Sequence, residues 1–194
     1  MYQFYIKPFF DFLGAFFLFV FLIPILLILS VILSIAHRSS PIFIQTRIGQ
    51  YQKRFKIFKF KSITENGKTT RFMAFLRRSK LDELPQLINI MAMQMSFVGP
   101  RPDIPGYYDQ LGEKYKSISK LKPGLTGYAS LHFSNEEQIL KSQSDPLSYN
   151  DTIIFPQKLK LNSQYAEDIS FSTDIKIILK TVLLPFRSSS ELDS

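Results

Sequence analysis

Cysteine is absent from this 194-residue chain, and histidine is scarce. Without cysteine, disulfide bonds and thiolate metal sites are excluded, and a cytoplasmic setting fits the composition. The two histidines, His37 and His132, are too few for a histidine-rich metal site. A lone histidine such as His132 is more typical of a surface or satisfied position than of a metal ligand.

Acidic residues are outnumbered by basic ones, with 16 Asp and Glu against 24 Lys and Arg. The formal net charge of +8 and the pI near 9.6 predict an anionic partner, either nucleic acid, acidic lipid or a phosphorylated substrate. The length accommodates one domain of catalytic size plus an appendage.

Charged side chains are missing from the run between Phe12 and Ala36, which is long enough to enter a membrane. The run is too long for a cleaved signal peptide. Pro24 breaks it after about 12 residues, or about 18 Å of helix, which is less than the roughly 30 Å of bilayer hydrocarbon. Lys7 and Arg38 place cations on both flanks. These residues leave a single span and a hairpin that returns to the same face both open.

The segment from Arg77 to Pro102 concentrates chemistry-bearing residues. Asp82 and Glu83 are adjacent, cations precede them, and Pro85 predicts a helix start at the two carboxylates. The predicted buried stripe of this helix follows the i, i+3, i+4, i+7 pattern and consists of Leu84, Leu87, Ile88 and Met91. A helix start favours anions, yet acidic residues in a first turn are also ordinary stabilising features.

Gly99-Pro100-Arg101-Pro102 follows as a stiff loop that ends the helix. A guanidinium held between two prolines loses little freedom when it binds a phosphate through two hydrogen bonds.

Residues Arg54 to Ile63 predict a strand in which Phe58 and Phe60 alternate with Lys59 and Lys61. Phe55 and Ile57 are out of phase, which predicts a bulge near Ile57. Taken alone, the lysines are typical of a solvated basic face.

Farther along, the pattern predicts a surface helix over Tyr107 to Leu121 and an irregular stretch over Glu136 to Pro156, with an exposed turn earlier at Asn66-Gly67. Two helices are predicted over Leu159 to Asp168 and Phe171 to Leu184. The second carries Ile175, Ile178, Leu179 and Val182 opposite Lys176 and Lys180, a layout that fits a membrane surface and a protein core equally.

The Leu81–Gln86 sequence LDELPQ, followed by GPRP at this separation, resembles the core signature of the bacterial sugar transferases, the small monotopic phosphoglycosyl transferases. Lys122 to Gly127 resembles a weaker Pro-Gly loop of that family, and Asp11 matches a further position. The chain departs from the family pattern at Ile23-Pro24, where a Ser-Pro pair is usual, and at Lys7-Pro8, where Lys-Arg is usual.

The resemblance implies an α/β (α+β) catalytic domain, largely helical with a short sheet, on an N-terminal re-entrant membrane helix hairpin. The expected divisions are residues 1–38 for the membrane-inserted helix, 39–187 for the cytoplasmic phosphoglycosyl transferase domain and 188–194 for a disordered tail. The expected location is the bacterial inner membrane, with the catalytic domain on the cytoplasmic face.

The resemblance also implies the reaction. A sugar-1-phosphate would pass from a nucleotide sugar, expected to be a UDP-sugar, to undecaprenyl phosphate, as the first membrane step of glycan assembly. Asp82 would be the nucleophile, Glu83 the ligand of a Mg²⁺ cofactor, and Lys59, Arg77 and Arg101 the cations that bind phosphate. Membrane lipids and other glycan-assembly enzymes are expected partners, and nucleic acid is not.

Two alternatives differ in class. A membrane-tethered module that binds nucleic acid or anionic lipid would use the charge and the Phe/Lys strand, but not an adjacent Asp-Glu pair. A non-catalytic partner in glycan assembly would share the fold and show no metal-dependent turnover.

Overall fold

The structure is a computed structural model that describes residues 1–64, 67 and 69–184. The chain is mainly helical with short strands. The α-helices are α1 Lys7–His37, α2 Arg71–Arg78, α3 Leu87–Met91, α4 Lys116–Ser119, α5 Tyr128–His132, α6 Glu136–Lys141, α7 Pro146–Tyr149, α8 Phe155–Asp168 and α9 Phe171–Leu183. Tyr2–Ile6 and Asn150–Ile154 are π-helical turns. The predicted tail at 188–194 and Asn66 of the predicted turn lie outside the described residues.

The strands form two pairs. β1 (Ile42–Ile48) and β2 (Arg54–Phe60) are antiparallel, whereas β3 (Ser96–Val98) and β4 (Gly124–Thr126) are parallel. The β1–β2 register runs without interruption from Ile42 opposite Phe60 to Ile48 opposite Arg54. The predicted bulge near Ile57 is therefore wrong. Ile57 and Phe60 are both buried because different parts of α1 cover the strand.

Helix α1 is a continuous apolar helix that contains Pro24, and it is long and apolar enough to cross a membrane. It also belongs to the globular core on both sides of that proline. Ala15 packs with Ile57, Leu87 and Ile90, and Leu29 and Leu33 pack with Phe60, Met73 and Leu76.

The two ends of α1 are bonded to the rest of the chain. At its start, the amine of Lys7 lies 2.6 Å from the Asp174 carboxylate of α9, and Asp11 accepts a 2.7 Å hydrogen bond from Ser96 of β3. At its end, His37 Nε2 donates to the carbonyl oxygen of Lys61 at 2.9 Å. Both flanks of the apolar run therefore contact one globular unit.

The segment around Asp82 differs from a regular helix. A 3₁₀ turn spans Leu81–Gln86 and α3 continues from Leu87 for five residues. Because a 3₁₀ turn has about three residues per turn, the 3.6-residue phase used for the predicted stripe does not hold. Ile88 is 41% exposed, whereas Asn89 and Ile90 are fully buried.

Two further predictions are corrected. Tyr107 to Leu121 forms two 3₁₀ turns, Tyr108–Gln110 and Glu113–Tyr115, before α4, although its apolar side chains do pack in one cluster with Ile48 and Leu159. Glu136 to Pro156 is helical for most of its length. Asp145 caps α7 by accepting from the Ser148 N–H, and Pro146 occupies the first turn, where a proline is tolerated.

Candidate active site

The carboxylate of Glu83 lies at the centre of the site and binds two cations. Arg101 donates to both of its oxygens, with Nη1 at 3.3 Å from Oε2 and Nη2 on Oε1. The Lys59 amine lies 3.3 Å from Oε1. Burial acts to raise the pKa of Glu83, but Arg101 and Lys59 outweigh it and hold that pKa well below its usual value. Glu83 is therefore a fixed anion.

Lys59 reaches Glu83 because hydrogen bonds from Asn89 of α3 hold that helix against the backbone of β2. The buried Asn89 donates from Nδ2 to the Lys56 carbonyl at 2.7 Å and accepts from the Phe58 N–H at 3.2 Å. The Lys59 side chain keeps only 19% of its exposure, and its burial lowers its pKa, which Glu83 partly offsets. A solvated basic face is excluded for this lysine, whose charge is directed at the acidic turn.

Arg101 is positioned by close contact between two glycine-bearing backbones. Gly99 N–H donates to the Thr126 carbonyl at 2.8 Å, and Gly124 N–H donates to the Pro100 carbonyl at 2.9 Å. A Cβ on Gly124 would lie 2.2 Å from the Gly99 nitrogen, a separation that real Cβ atoms do not adopt. This close contact between backbones holds the loop on which Arg101 is mounted.

Asp82 is buried and has few hydrogen-bond partners among the residues that the structure describes. Its Oδ2 accepts one long contact, 3.5 Å, from the Ser62 hydroxyl. Burial and the neighbouring Glu83 carboxylate raise the pKa of Asp82, and Lys59 acts in the opposite direction. Since Arg101 and Lys59 bind Glu83, the Asp82 carboxylate retains acceptor capacity for an incoming group.

Arg77 lies at the rim. Its guanidinium Nη2 donates to Glu137 Oε2 at 2.9 Å, and both side chains are partly exposed. Arg77 is close enough to lower the pKa of Asp82 somewhat. The structure thus brings Lys59, Asp82, Glu83 and Arg101 together and places Arg77 beside them on a separate ion pair.

The residues present fit a magnesium ion by donor type. Among the described residues no group of three or more His, Asp or Glu side chains forms a metal site. Mg²⁺ needs less, because one or two carboxylates suffice when phosphate oxygens and waters complete its octahedron. A carboxylate offers about four lone-pair sites, and Glu83 uses three of them on Arg101 and Lys59. The remaining site on Glu83, with Asp82 adjacent, is a suitable donor set.

Several residues at the site were not identified from the sequence. Ser62, Asn89 and Glu137 each contact a predicted site residue or its strand. Each partner is between 20 and 60 residues away along the chain, so no local spacing would have marked them.

The comparison with known families decides what this arrangement is. The family model for bacterial sugar transferases matches residues 2–188. The chain belongs to the bacterial sugar transferase family. Its membership argues against a nucleic-acid-binding module.

Individual relatives of the sugar transferase agree. It is 33% identical over 179 residues to the UDP-glucose:undecaprenyl-phosphate glucose-1-phosphate transferase of Escherichia coli (strain K12), covering 84% of this chain and 36% of that protein. It is 29% identical over 188 residues to the uncharacterized sugar transferase EpsL of Bacillus subtilis (strain 168), covering 91% and 85%. Identity is 32% over 184 residues to the UDP-glucose:undecaprenyl-phosphate glucose-1-phosphate transferase of Klebsiella pneumoniae, covering 86% and 37%. The chain thus spans little more than a third of the first and third relatives and most of the second.

The sugar transferase presents apolar surface next to this site. On α9, Asp174 and Ile177 are buried, whereas Leu179 and Val182 are 56% and 61% exposed. The Phe171 ring at the start of α9 lies 6.1 Å from that of Phe10 on α1. Exposed apolar side chains of α9 and α1 therefore adjoin at Phe171 and Phe10, while the opposite face of α9 packs in the core.

Proposed function

We propose that this protein transfers a sugar-1-phosphate from a UDP-sugar to undecaprenyl phosphate. The observation that carries the proposal is the different bonding of the two adjacent carboxylates, Asp82 and Glu83. Arg101 and Lys59 neutralise Glu83, while Asp82 beside it keeps its oxygens for an incoming phosphate. The names of the Escherichia coli and Klebsiella pneumoniae relatives state a reaction of this class.

The first step forms a covalent intermediate. An Asp82 oxygen attacks the phosphorus that carries the sugar, the bond from that phosphorus to the bridging oxygen breaks, and UMP leaves with that oxygen. The enzyme then holds a phosphosugar on the Asp82 carboxylate. Splitting one transfer into two displacements is the established use of a carboxylate nucleophile.

In the second step an oxygen of undecaprenyl phosphate attacks the same phosphorus. The bond to Asp82 breaks, which frees the carboxylate and releases undecaprenyl diphosphate-sugar. Arg101 and Lys59 supply positive charge to the phosphate oxygens throughout, and Arg101 stays oriented because its loop is fixed to β4. Arg77 is the third cation, available from its exposed pair with Glu137.

Glu83 would hold Mg²⁺ through its remaining lone-pair site. The ion, when bound, neutralises phosphate charge that would otherwise repel the anionic Asp82. The test is metal removal: EDTA-treated protein should lose UMP release, and added Mg²⁺ should restore it. Full activity in EDTA would exclude the metal from the reaction.

The acceptor is a membrane lipid, and the fold supports access to it. We propose that α1 enters the bilayer without crossing it, so that both of its ends stay on the cytoplasmic face of the bacterial inner membrane. The support is that Lys7 and His37, at opposite ends of α1, both bind the globular domain. An exposed apolar face on α9 would lie on the same membrane surface.

The deciding experiment is a screen of the purified full-length protein. It would be incubated with undecaprenyl phosphate, Mg²⁺ and a panel of UDP-sugars, and released UMP would be measured. Release from at least one donor, dependent on the acceptor for continued turnover, is expected. Absence of UMP from every donor would overturn the proposed function and favour a non-catalytic role in glycan assembly.

A further inference from the structure

A cavity that Arg101 helps to line adjoins the site. Its volume is about 150 Å³ and its wall includes Arg47, Arg101, Ser130 and Asn162. A buried water needs only roughly 10–15 Å³ on this measure. The space therefore holds a group much larger than one water molecule.

The wall of this cavity contains unpaired polar atoms. Among the described residues, the buried side-chain polar atoms that lack a hydrogen-bond partner are Arg47 Nε, Ser130 Oγ and Asn162 Oδ1, and all three residues line this cavity. Leaving such atoms unpaired costs roughly 1–3 kcal/mol each. Three residues that each carry a buried unpaired atom thus border one space, which indicates a site built for a polar ligand.

The Asn162 amide shows how firmly one of these atoms is held. Asn162 is 1% exposed, and its Nδ2 donates to the Tyr108 hydroxyl at 2.7 Å. One end of the amide is thereby used, so the other end is left without a partner. Tyr108 is itself buried against Phe155, so the amide cannot turn away from the cavity without breaking this contact.

The charges around the cavity are already paired. Arg47 lies 3.8 Å from Asp103, Lys158 lies 2.7 Å from Glu136, and Arg101 is bound to Glu83. Arg101 already serves the phosphate in the proposed reaction, and the other two cations of the wall, Arg47 and Lys158, are held by their own carboxylates. The available groups are the Arg47 Nε–H, the Ser130 hydroxyl, the Asn162 amide oxygen and carboxylates that are already paired with cations. Such groups suit the hydroxyls of a neutral sugar.

The alternative occupant is the nucleotide base, which usually stacks on an aromatic ring. The aromatic residue among those that line the cavity is Tyr108, which is 8% exposed and packed edge-on against Phe155. It offers little ring face for stacking. The sugar fits the wall better than the base.

We propose that this cavity binds the sugar of the donor, and that Ser130, Asn162 and the Arg47 Nε–H determine which sugar is accepted. The proposal rests on the proposed function. Arg101 belongs to both places: its guanidinium binds Glu83, beside the attacking Asp82, and the residue also lines the cavity. This places the sugar next to the phosphorus to which it is attached.

Ser130→Ala tests the proposal, because it removes an unpaired hydroxyl and disturbs no other contact. We expect kcat/KM for the donor that the wild type uses best to fall about 3- to 10-fold, as loss of one hydrogen bond predicts. Competitive inhibition by UDP, which lacks the sugar, should be unchanged, and Tm should be equal or higher. Ser142→Ala is the matched control, because this exposed hydroxyl bonds the neighbouring Ile139 carbonyl and Gln143 amide, away from the cavity wall.

Donor analogues sharpen the test. With a series of UDP-monodeoxy sugars, the analogue that lacks the hydroxyl bound by Ser130 should react equally with wild type and Ser130→Ala. Arg47→Lys is the second variant, since it keeps a cation opposite Asp103 but lacks the Nε–H. It should likewise weaken the UDP-sugar and spare UDP.

The outcomes separate the two levels of inference. Equal weakening of UDP and UDP-sugar would assign the cavity to the nucleotide and overturn the proposal. Unchanged kcat/KM in both variants would overturn it while leaving the transferase activity intact. If the wild type releases no UMP from any donor, the proposed function fails and the sugar site fails with it.

Discussion

Arg101 donates from both terminal nitrogens to the carboxylate of Glu83, so the rigid loop after β3 is bonded to the acidic turn that carries Asp82. This contact gives the adjacent carboxylates different roles. Glu83 is neutralised and fixed, whereas Asp82 is buried, raised in pKa and lightly bonded.

Asp82→Asn should abolish transfer and leave the fold intact, because the amide keeps the shape of the side chain but is not a nucleophile. We expect UMP release to fall on the order of 10³-fold or more. Intact-protein mass spectrometry with donor alone should show a phosphosugar adduct on the wild type and none on the variant. Asp168→Asn, an exposed change of the same kind, is the control. An Asp82→Asn protein with near wild-type turnover would refute the covalent role.

Arg101→Lys should lower kcat/KM about 10- to 100-fold, because an ammonium cannot reproduce the two-nitrogen contact with Glu83 and phosphate. Steady-state kinetics with varied donor would measure it. Arg78→Lys, on the exposed face of α2, should behave as wild type. Unchanged kcat and KM in Arg101→Lys would place that residue outside the site.

Glu83→Gln should make the free energy of unfolding less dependent on pH in the acidic range. The folded pKa of Glu83 lies below its unfolded value of about 4.3, so its ion pairs stabilise the fold fully above that pH and progressively less as the pH falls toward the folded pKa. We expect a loss of about 2 kcal/mol at neutral pH, less than the 3–5 kcal/mol of a fully buried pair, because Arg101 keeps 36% of its side-chain exposure.

The measurement is thermal unfolding in metal-free detergent solution, followed by far-UV circular dichroism across a pH series. The gap in stability between wild type and Glu83→Gln should narrow as the solution becomes more acidic. Glu113→Gln, at a largely exposed pair, provides the control. A gap that stays constant or widens in acid would contradict the assigned role of Glu83.

Gly124→Ala should destabilise the fold by on the order of 3 kcal/mol through overpacking, because the new Cβ would meet the Gly99 backbone. The free energy of unfolding from denaturant titration would show it. Gly112→Ala, where a Cβ meets nothing within 4 Å, should cost little. Equal stability of the two variants would mean that the Arg101 loop is not held by this contact.

The topology of α1 can be read with single cysteines, since the chain has none of its own. Gln3→Cys precedes the apolar helix and Ser40→Cys follows it. An impermeant maleimide should label neither in intact cells and both once the inner membrane is opened. Labelling of Gln3→Cys alone, with only the outer barrier permeabilised, would show a spanning helix. Pro24→Ala should shift the balance toward that span by restoring a continuous helical ladder.

The sequence predicts those parts whose pattern is local. The apolar run of α1, a helical turn that starts close to Asp82 and Glu83 and the extended form of β2 follow from spacing and from proline chemistry, and the structure confirms them. The grouping of Asp82 and Glu83 with Lys59 and Arg101 came from family resemblance, because their meeting depends on the distant bond from Asn89 to β2.

Other parts escaped prediction for physical reasons. The helices α6 and α7, between Glu136 and Pro156, are short and exposed. Their sequence is therefore polar and shows no periodic apolar pattern that would predict a helix. Because Leu81–Gln86 winds more tightly than an α-helix, the buried side chain in the next turn is Ile90, whereas the predicted stripe contained Ile88. The sugar cavity is assembled from β1, α5 and α8, and its significance lies in atoms that have no partner.

The burial of α1 against both core clusters bears on how the molecule is made. Ribosomes synthesise the N-terminus first, so α1 is complete before the residues that it packs against. Ala15, Leu29 and Leu33 are then available for the later chain to pack on. A truncated fragment that starts at residue 39 would lose these side chains from its interior. Helix α1 and the domain that carries the site therefore form a single folding unit.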